Sequence, residues 1–230
     1  MYLDSFVQRA SSTLIGYEEP LSYLKRRGVD EDDIKYYSIG YCKIVRIPKS
    51  NSCDYKLLFE ATNEFRRLKE KILFPLRNVL GRVNGLVVRR IDKKQYTQYF
   101  LTESKKIGAF FGLYEALPHI QRTKKVFVHE GALDSISFAK VFPNTVSSLT
   151  SFLNEQQYEL LRFFADKIIL IYDRDEAGYL GVQKMMNAYG NRHIESIFLG
   201  DNDANQYYQT MGYRPFEKFL RSRIPSILQV

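Results

Sequence analysis

The chain has 230 residues, which is enough to bury a substantial core as one large domain or two small ones. Its two cysteines, Cys42 and Cys53, are too few and wrongly spaced for a zinc ribbon or a disulfide scaffold. The first six residues lack the basic and apolar regions of a signal peptide, and no apolar run approaches the length of a membrane span. These features predict a cytosolic protein that does not enter a membrane.

The net charge of +8 is unevenly distributed along the chain. Residues 1–125 carry 24 Lys and Arg against 14 Asp and Glu, whereas residues 126–230 carry 10 against 12. A basic half joined to an acidic half favours an enzyme that acts on polyphosphates or nucleic acid. The alternative is that the basic residues only keep the surface soluble.

The N-terminal half is predicted to mix helices with strands. Pro20 in a first turn and Gly28 as a stop indicate a helix over residues 20–27, and Asp30 caps a second helix that ends at residue 37. Strand-like runs follow at residues 72–77, 83–90 and 96–101, the first two joined by a predicted hairpin turn. This pattern, with its excess of Lys and Arg, predicts a basic α+β lobe.

From residue 124 onward, strands and helices alternate regularly. We predict strands at 125–129, 145–148, 167–172 and 193–199, and helices at 131–141, 154–164 and 175–189. Strands separated by single helices predict right-handed crossovers and a parallel sheet, so this half belongs to the α/β class.

Two of the predicted strands end in carboxylates. The run that ends at Val128 is followed closely by Glu130, and the run that ends at Tyr172 is followed at once by Asp173 and Asp175. Because ligands bind at the carboxyl edge of open α/β sheets, we expect these acids to meet there, with Asp134 one helical turn beyond Glu130.

Clustered carboxylates repel one another, and such a group is stable at neutral pH chiefly when divalent cations fill it. The candidate ligands are hard oxygens without a suitably spaced Cys or His, which favours Mg²⁺. The alternative is that Asp175 simply caps the helix beginning near Glu176. Two acidic motifs at strand ends favour the metal site.

These motifs resemble those of a known family. The sequence EGALD at residues 130–134 and DRDEAG at residues 173–178 is similar to the signature of the TOPRIM domain, shared by primases, topoisomerases and some nucleases. The stretch FLGDNDAN at residues 198–205 resembles the third acidic motif of the primases in that group.

Three upstream phrases resemble the polymerase core of DnaG-type primases in particular. They are PLSYLKRRGVDEDDIKYYSIGYC at residues 20–42, ILFPLRNVLGRVNGLVVRR at residues 72–90 and FFGLYEAL at residues 110–117. The resemblance implies that Arg77, Arg82 and Arg89 face nucleotide or template. The sequence departs from the family's Lys-Tyr pair at Gln98 and Tyr99, and we expect Lys105 and Lys106, which follow, to contact nucleotide or template.

The resemblance, which covers about residues 20–212, implies synthesis of short RNA primers from NTPs on single-stranded DNA, through an RNA–DNA hybrid and with two Mg²⁺ or Mn²⁺ ions. It implies metal binding by Glu130, Asp173, Asp175 and Asp203, and catalytic roles for Glu130, Asp134, Asp173 and Asp175. Asn205 stands where many bacterial relatives carry Asp, and is expected to contact nucleotide or template.

We further predict domains at residues 1–120 and 121–212, followed by a helical tail at 213–230. Primases of this type usually carry a zinc ribbon and a helicase-engaging segment, which predicts a separate zinc-binding or helicase partner. We expect a cytoplasmic setting, which includes the cytoplasm of a phage-infected host. The rival functions are a TOPRIM nuclease, which would use the same acids to cleave, and a non-catalytic nucleic-acid-binding protein.

Overall fold

The computed structural model describes residues 2–43, 68–92, 96–100 and 108–225. The chain divides into two compact units. The first consists of Met1–Arg26 with Asp30–Ala109, and the second of Arg27–Val29 with Phe110–Val230. The predicted domain boundaries at residues 120 and 212 stay predictions.

The first unit combines helices with an antiparallel sheet, as predicted. Its sheet has the order β1-β2-β3-β4. Its elements are α1 (Tyr2–Leu14), α2 (Glu18–Arg26), α3 (Glu31–Tyr37), β1 (Gly40–Cys42), β2 (Lys71–Arg77), β3 (Val83–Arg90) and β4 (Tyr96–Phe100). Helix α2 begins two residues earlier than predicted, because Glu18 and Glu19 occupy its first turn.

Local sequence explains these elements. Asp30 caps α3 by accepting the backbone N–H groups of Asp32 and Asp33, while the Asp33 side chain accepts the N–H of Asp30. Helix α1 packs tightly on the sheet, since a Cβ at Gly40 would stand 2.8 Å from the Cβ of Ala10. A buried cluster that includes Val7, Leu73 and Val88 fills the space between α1 and the strands.

The second unit contains the predicted parallel sheet, with the order β6-β5-β7-β8. Its elements are α4 (Leu113–Thr123), β5 (Lys125–His129), α5 (Ala132–Ala139), β6 (Thr145–Ser147), α6 (Glu155–Phe164), β7 (Lys167–Ile171), α7 (Glu176–Tyr189), β8 (Ile194–Ser196), α8 (Ala204–Met211) and α9 (Tyr213–Arg223).

The two central strands are buried on both faces, as their apolar runs predicted. Phe127 of β5 and Ile169 of β7 lie side by side and pack into one core cluster, whereas Val128 and Leu170 are buried from the other face. Helix α9 belongs to this core, since Phe216 is fully buried within the cluster that contains Phe127. Helix α9, which lies within the predicted tail, is therefore an integral part of the second unit.

None of the described helices is both long enough and apolar enough to cross a lipid bilayer.

Candidate active site

Two neighbouring parallel strands deliver their acids to the same edge of the sheet. Glu130 directly follows β5, and Asp173 follows Tyr172 at the end of β7, which pairs with β5 in parallel register. Carboxyl ends of adjacent parallel strands lie next to each other, so the predicted convergence of these two acids is present. We call Glu130, Asp134, Asp173, Asp175 and Asp203 the acidic site.

Two members of the acidic site begin helices. The side chain of Asp175 accepts the backbone N–H of Gly178 at 2.8 Å at the start of α7. The side chain of Asp203 accepts the N–H of Gln206 at 2.6 Å at the start of α8. The capping alternative for Asp175 is therefore correct as to geometry, and it coexists with membership of the cluster. Each cap occupies one carboxylate oxygen and holds the side chain in place.

Glu130 is partly buried and lies close to the negative charges of Asp173 and Asp175. Burial, followed by the charges of Asp173 and Asp175, raises the pKa of Glu130 to about 7, although the backbone N–H of Asp173 opposes the shift. Its Oε1 atom is buried and has no hydrogen-bond partner. A buried carboxylate oxygen without a partner is costly, so this atom is suited to accept a cation or a proton.

Asp134 interacts electrostatically both with Asp173, which follows β7, and with Asp203 at the start of α8. Burial, followed by the charge of Asp203, raises the pKa of Asp134 well above its usual range, and a hydrogen bond with the Asp203 side chain acts in the same direction. The backbone N–H of Asn205 donates to Oδ1 of Asp134 at 3.0 Å and opposes the shift. Burial, followed by the charges of Asp203 and Asp175, also raises the pKa of Asp173.

This donor set fits a hard divalent cation in its chemistry. Burial and neighbouring carboxylates raise the pKa values of Glu130 and Asp173, and one buried oxygen, Oε1 of Glu130, has no hydrogen-bond partner. Within the described residues, no three His, Cys, Asp or Glu side chains stand close enough to enclose an ion as they are. Ion binding would therefore require these side chains to draw together.

Gly178 allows α7 to begin against the loop that carries the acids. A Cβ at Gly178 would stand 2.0 Å from the carbonyl oxygen of Asp173, and one at Gly181 would stand 2.3 Å from that of Ser151. Glycines in the first turns of a helix allow either close packing or approach of the backbone to phosphate. Close packing accounts for both.

Asn205 lies next to the acidic site but turns away from solvent, with none of its surface exposed. Its Nδ2 donates to the carbonyl oxygen of Arg27 at 2.7 Å and to Oγ of Ser137 at 2.8 Å, while its Oδ1 accepts from Nε2 of Gln209 at 2.7 Å. Every polar atom of this side chain is thus engaged within the second unit. Its predicted contact with nucleotide or template stays untested.

The three predicted arginines of the first unit differ in environment. Arg89 is buried and its Nε donates to the hydroxyl of Tyr23, whose ring also lies under the guanidinium. Arg77 is half-buried and donates to the carbonyl oxygen of Tyr37 at 3.2 Å. Arg82 is exposed just before β3. Lys105 and Lys106 lie outside the described residues.

The sequence did not reveal the polar groups that support the site. Ser137 is fully buried on α5, and Gln209 lies one turn after Asn205 on α8. The i,i+4 spacing of Asn205 and Gln209 is a signal of a possible contact on one helix face. Arg174 also makes contacts that were not foreseen, donating to the Tyr179 hydroxyl at 3.3 Å and to Asp201 at 3.2 Å.

Comparison with known proteins supports the expected relationship. A family described as the DNA primase catalytic core, N-terminal domain, matches residues 8–115, and a family described as Toprim-like matches residues 127–208. The DNA primase of Lactococcus lactis subsp. lactis is 26% identical over 222 residues, which cover 88% of this chain and 35% of that protein.

Solved structures share the fold. A structure of the DnaG catalytic core superposes with a TM-score of 0.78 at 24% identity, covering 97% of this chain and 78% of that one. A DnaG primase catalytic domain bound to ssDNA gives a TM-score of 0.77 at 24% identity, with coverage of 97% and 79%.

A Toprim-like domain preceded by a primase-type N-terminal domain defines the class of the protein. The chain belongs to the DnaG-type primase family and corresponds to its catalytic core. It spans 35% of the Lactococcus lactis relative and 48% of the DNA primase of Aquifex aeolicus.

Proposed function

We propose that this chain is the polymerising core of a DNA primase, which synthesises short RNA primers from NTPs on single-stranded DNA. The observation that carries the proposal is the acidic site itself: carboxylates from two adjacent strand ends and from the start of α8 lie close enough together that burial and neighbouring charge raise the pKa values of Glu130, Asp134 and Asp173. Such an arrangement is suited to bind cations and, through them, a polyphosphate.

Glu130, Asp173, Asp175 and Asp203 would hold two divalent ions, Mg²⁺ or Mn²⁺. When bound, the ions would lower the pKa of an attacking 3′-hydroxyl and neutralise charge on the leaving pyrophosphate. The helix caps hold the side chains of Asp175 and Asp203 in place, which would favour the binding of a cation by these carboxylates. Glu130, with a pKa of about 7, is suited to accept a proton at neutral pH.

The template and the growing RNA–DNA hybrid would lie against the basic first half of the chain. Residues 1–125 carry the excess of Lys and Arg, which fits a phosphate backbone. A solved relative is described as bound to ssDNA, which agrees with such a ligand. Arg82 is the best placed of the predicted arginines, because it is exposed, whereas Arg89 is engaged with Tyr23. Arg77, Lys105 and Lys106 remain candidates for the same role.

Incubation of the protein with single-stranded DNA and labelled NTPs, in the presence of Mg²⁺ or Mn²⁺, tests the proposal. We expect short RNA products that depend on template and metal and that disappear in Asp173→Asn. Shortened DNA without RNA would identify a nuclease instead. Template binding without either product would identify a nucleic-acid-binding protein, and both results would overturn the proposal.

The predicted zinc-binding or helicase partner is tested separately. Addition of such a protein from a DnaG-type replication system should raise the rate of initiation or narrow the set of start sites. Unchanged priming over many template sequences would contradict this prediction.

A further inference from the structure

We infer that Asn205 is a positioning residue that fixes Asp134 and the start of α8, and that it is not a ligand of metal, nucleotide or template. The inference gives a role to a side chain that sequence reasoning assigned to substrate binding. It rests on the proposed function only in that Asp134 is taken to belong to a cation-binding site.

The first step is the saturation of the Asn205 side chain. Both N–H groups of its amide are used, by the carbonyl oxygen of Arg27 at 2.7 Å and by Oγ of Ser137 at 2.8 Å, and its oxygen accepts from Gln209 at 2.7 Å. The side chain has no exposed surface. A side chain whose two N–H groups are both bonded, whose oxygen already accepts a hydrogen bond and which has no contact with solvent cannot bind a diffusing substrate without disturbing this network.

The second step is the orientation of the amide. A carbonyl oxygen can only accept a hydrogen bond, so the atom that faces Arg27 at 2.7 Å must be the nitrogen. The side-chain oxygen of Asn205 therefore points to Gln209. The Nε2 group of Gln209 also donates to the backbone carbonyl oxygen of Asn205 at 3.0 Å. These contacts fix which atom of the amide lies where, and the oxygen is turned to α8 rather than left open for a cation.

The third step connects this network to the acidic site. The backbone N–H of Asn205 donates to Oδ1 of Asp134 at 3.0 Å, while the Asp134 side chain also interacts with Asp203. Because three contacts hold the Asn205 side chain, its backbone N–H has a fixed position. The carboxylate of Asp134 is thereby oriented by a residue two positions after Asp203.

The fourth step concerns the turn that contains Arg27, which groups with the second unit. Gly28 adopts a left-handed backbone with φ of +72°, and a Cβ there would stand 2.5 Å from the ring of Tyr208. Asn205 and Tyr208 are three residues apart on α8 and so share a face. This face of α8 therefore holds the turn at Arg27 and Gly28 in place. Tyr208 packs against Gly28, and Asn205 donates the hydrogen bond to the Arg27 carbonyl oxygen.

The choice of Asn over Asp follows from these contacts. A carboxylate at position 205 could not donate to Arg27 or Ser137, and it would place a negative charge against a carbonyl oxygen in a dry site beside Asp134 and Asp203. Aspartate at this position would therefore destabilise the folded protein, even though it would be the better cation ligand. The two roles of the position predict opposite effects of Asn205→Asp.

The experiment measures thermal unfolding without metal and Mn²⁺ affinity by calorimetry, for the full chain and for Asn205→Asp, Asn205→Ala and Ser137→Ala. We expect Asn205→Asp to lower Tm by roughly 4–10 °C, because buried groups lose their partners, and to weaken Mn²⁺ binding by about tenfold or more. Asn205→Ala should act in the same direction, and Ser137→Ala, which removes one acceptor, should lower Tm less.

Asn202→Asp is the matched control, since it makes the same change at an exposed position on the same segment. It measures how far an added charge by itself alters Mn²⁺ affinity, and it should leave Tm within about 1–2 °C of the unchanged protein. Tighter Mn²⁺ binding in Asn205→Asp than in this control would show that position 205 supplies a ligand, and an unchanged Tm would show that the hydrogen bonds of Asn205 hold nothing in place. Either result would overturn the inference.

Neither readout needs RNA synthesis. Loss of primer synthesis in the unchanged protein, with these shifts intact, would refute the proposed function and leave the role of Asn205 standing. Primer synthesis by the unchanged protein, together with an Asn205→Asp variant that is stable and binds Mn²⁺ tightly, would support the proposed function and refute the role of Asn205.

Discussion

Gly178 lies so close to Asp173 that a Cβ on the glycine would stand 2.0 Å from the aspartate's carbonyl oxygen. The start of α7 can therefore approach the end of β7 only without a side chain at this position. The positions of Asp173 and of the first turn of α7 relative to each other therefore depend on the lack of a Cβ at residue 178.

Gly178→Ala should therefore destabilise the protein, although alanine normally stabilises a helix interior by about 1 kcal/mol relative to glycine. We expect a loss of roughly 1–3 kcal/mol from overpacking against backbone, together with weaker Mn²⁺ binding, because Asp173 must shift. Denaturant unfolding and Mn²⁺ calorimetry measure the two effects.

Gly181→Ala is the matched control for that variant. Its Cβ would meet the carbonyl oxygen of Ser151 at 2.3 Å, a contact that involves no member of the acidic site. It should also lower stability but leave Mn²⁺ affinity nearly unchanged. Equal loss of metal affinity in both variants would mean that Gly178 acts through general stability alone.

Asp173→Asn should separate activity from stability. Burial and the charges of Asp203 and Asp175 raise the pKa of Asp173, so its ionised form is disfavoured in the metal-free protein. Removal of this charge should raise metal-free stability by up to about 1 kcal/mol, the scale of solvent-screened charge interactions. Primer synthesis should fall by at least about two orders of magnitude, because a charge-stabilising group is lost.

Asp166→Asn provides the control, since Asp166 is exposed at the other end of β7. Its synthesis and stability should match those of the unchanged protein. Substantial synthesis by Asp173→Asn would argue against the assignment of the acidic site.

Metal-free stability should depend on pH through Glu130. Its pKa in the folded protein is about 7, whereas an unfolded glutamate titrates near about 4.3. Between these values the folded state binds more protons than the unfolded state, so stability should fall as pH rises from about 4.3 to about 7 and should not change for this reason below that range.

Glu130→Gln should flatten this part of the curve, as measured by urea unfolding from pH 4 to pH 8 without metal. Mn²⁺ affinity of the unchanged protein should rise over the same interval, since the ion competes with the proton. A stability that increases with pH from 5 to 7, equally in both proteins, would contradict the assigned environment of Glu130.

The basic residues of the first unit should fall into two classes. Arg82→Ala should leave stability within about 0.5 kcal/mol of the unchanged protein. It should reduce the slope of log affinity for single-stranded DNA against log salt by about 0.7. Arg89→Ala should instead cost roughly 1–3 kcal/mol of stability, because Arg89 is buried and its loss leaves the Tyr23 hydroxyl without this partner.

Arg9→Ala, at an exposed position on α1 outside the matching phrases, is the control for loss of charge. An equal change in salt slope for Arg9→Ala and Arg82→Ala would mean that only the overall charge matters. A stable Arg89→Ala with a reduced slope would restore Arg89 as a phosphate contact.

The sequence by itself determined the architecture of the second unit and the place of its acids. Short apolar runs bounded by polar residues, such as 168–172, indicate strands buried on both faces, and single helices between them indicate parallel crossovers. Once the sheet is parallel, Glu130 and Asp173 must emerge at the same edge. These conclusions depend on local pattern and on chain connectivity, which a sequence contains in full.

Only the tertiary structure decided what surrounds each side chain. Asn205 donates to Arg27 across 178 positions of sequence, so no local pattern shows that the N–H groups of its amide are already bonded. Arg89 and Arg82 belong to the same basic strand phrase, yet Arg89 is buried with its guanidinium over the ring of Tyr23, whereas Arg82 is exposed. Hydrogen-bond saturation and burial depend on which distant segments meet, and it is these two properties that distinguish a residue that binds substrate from one that positions another.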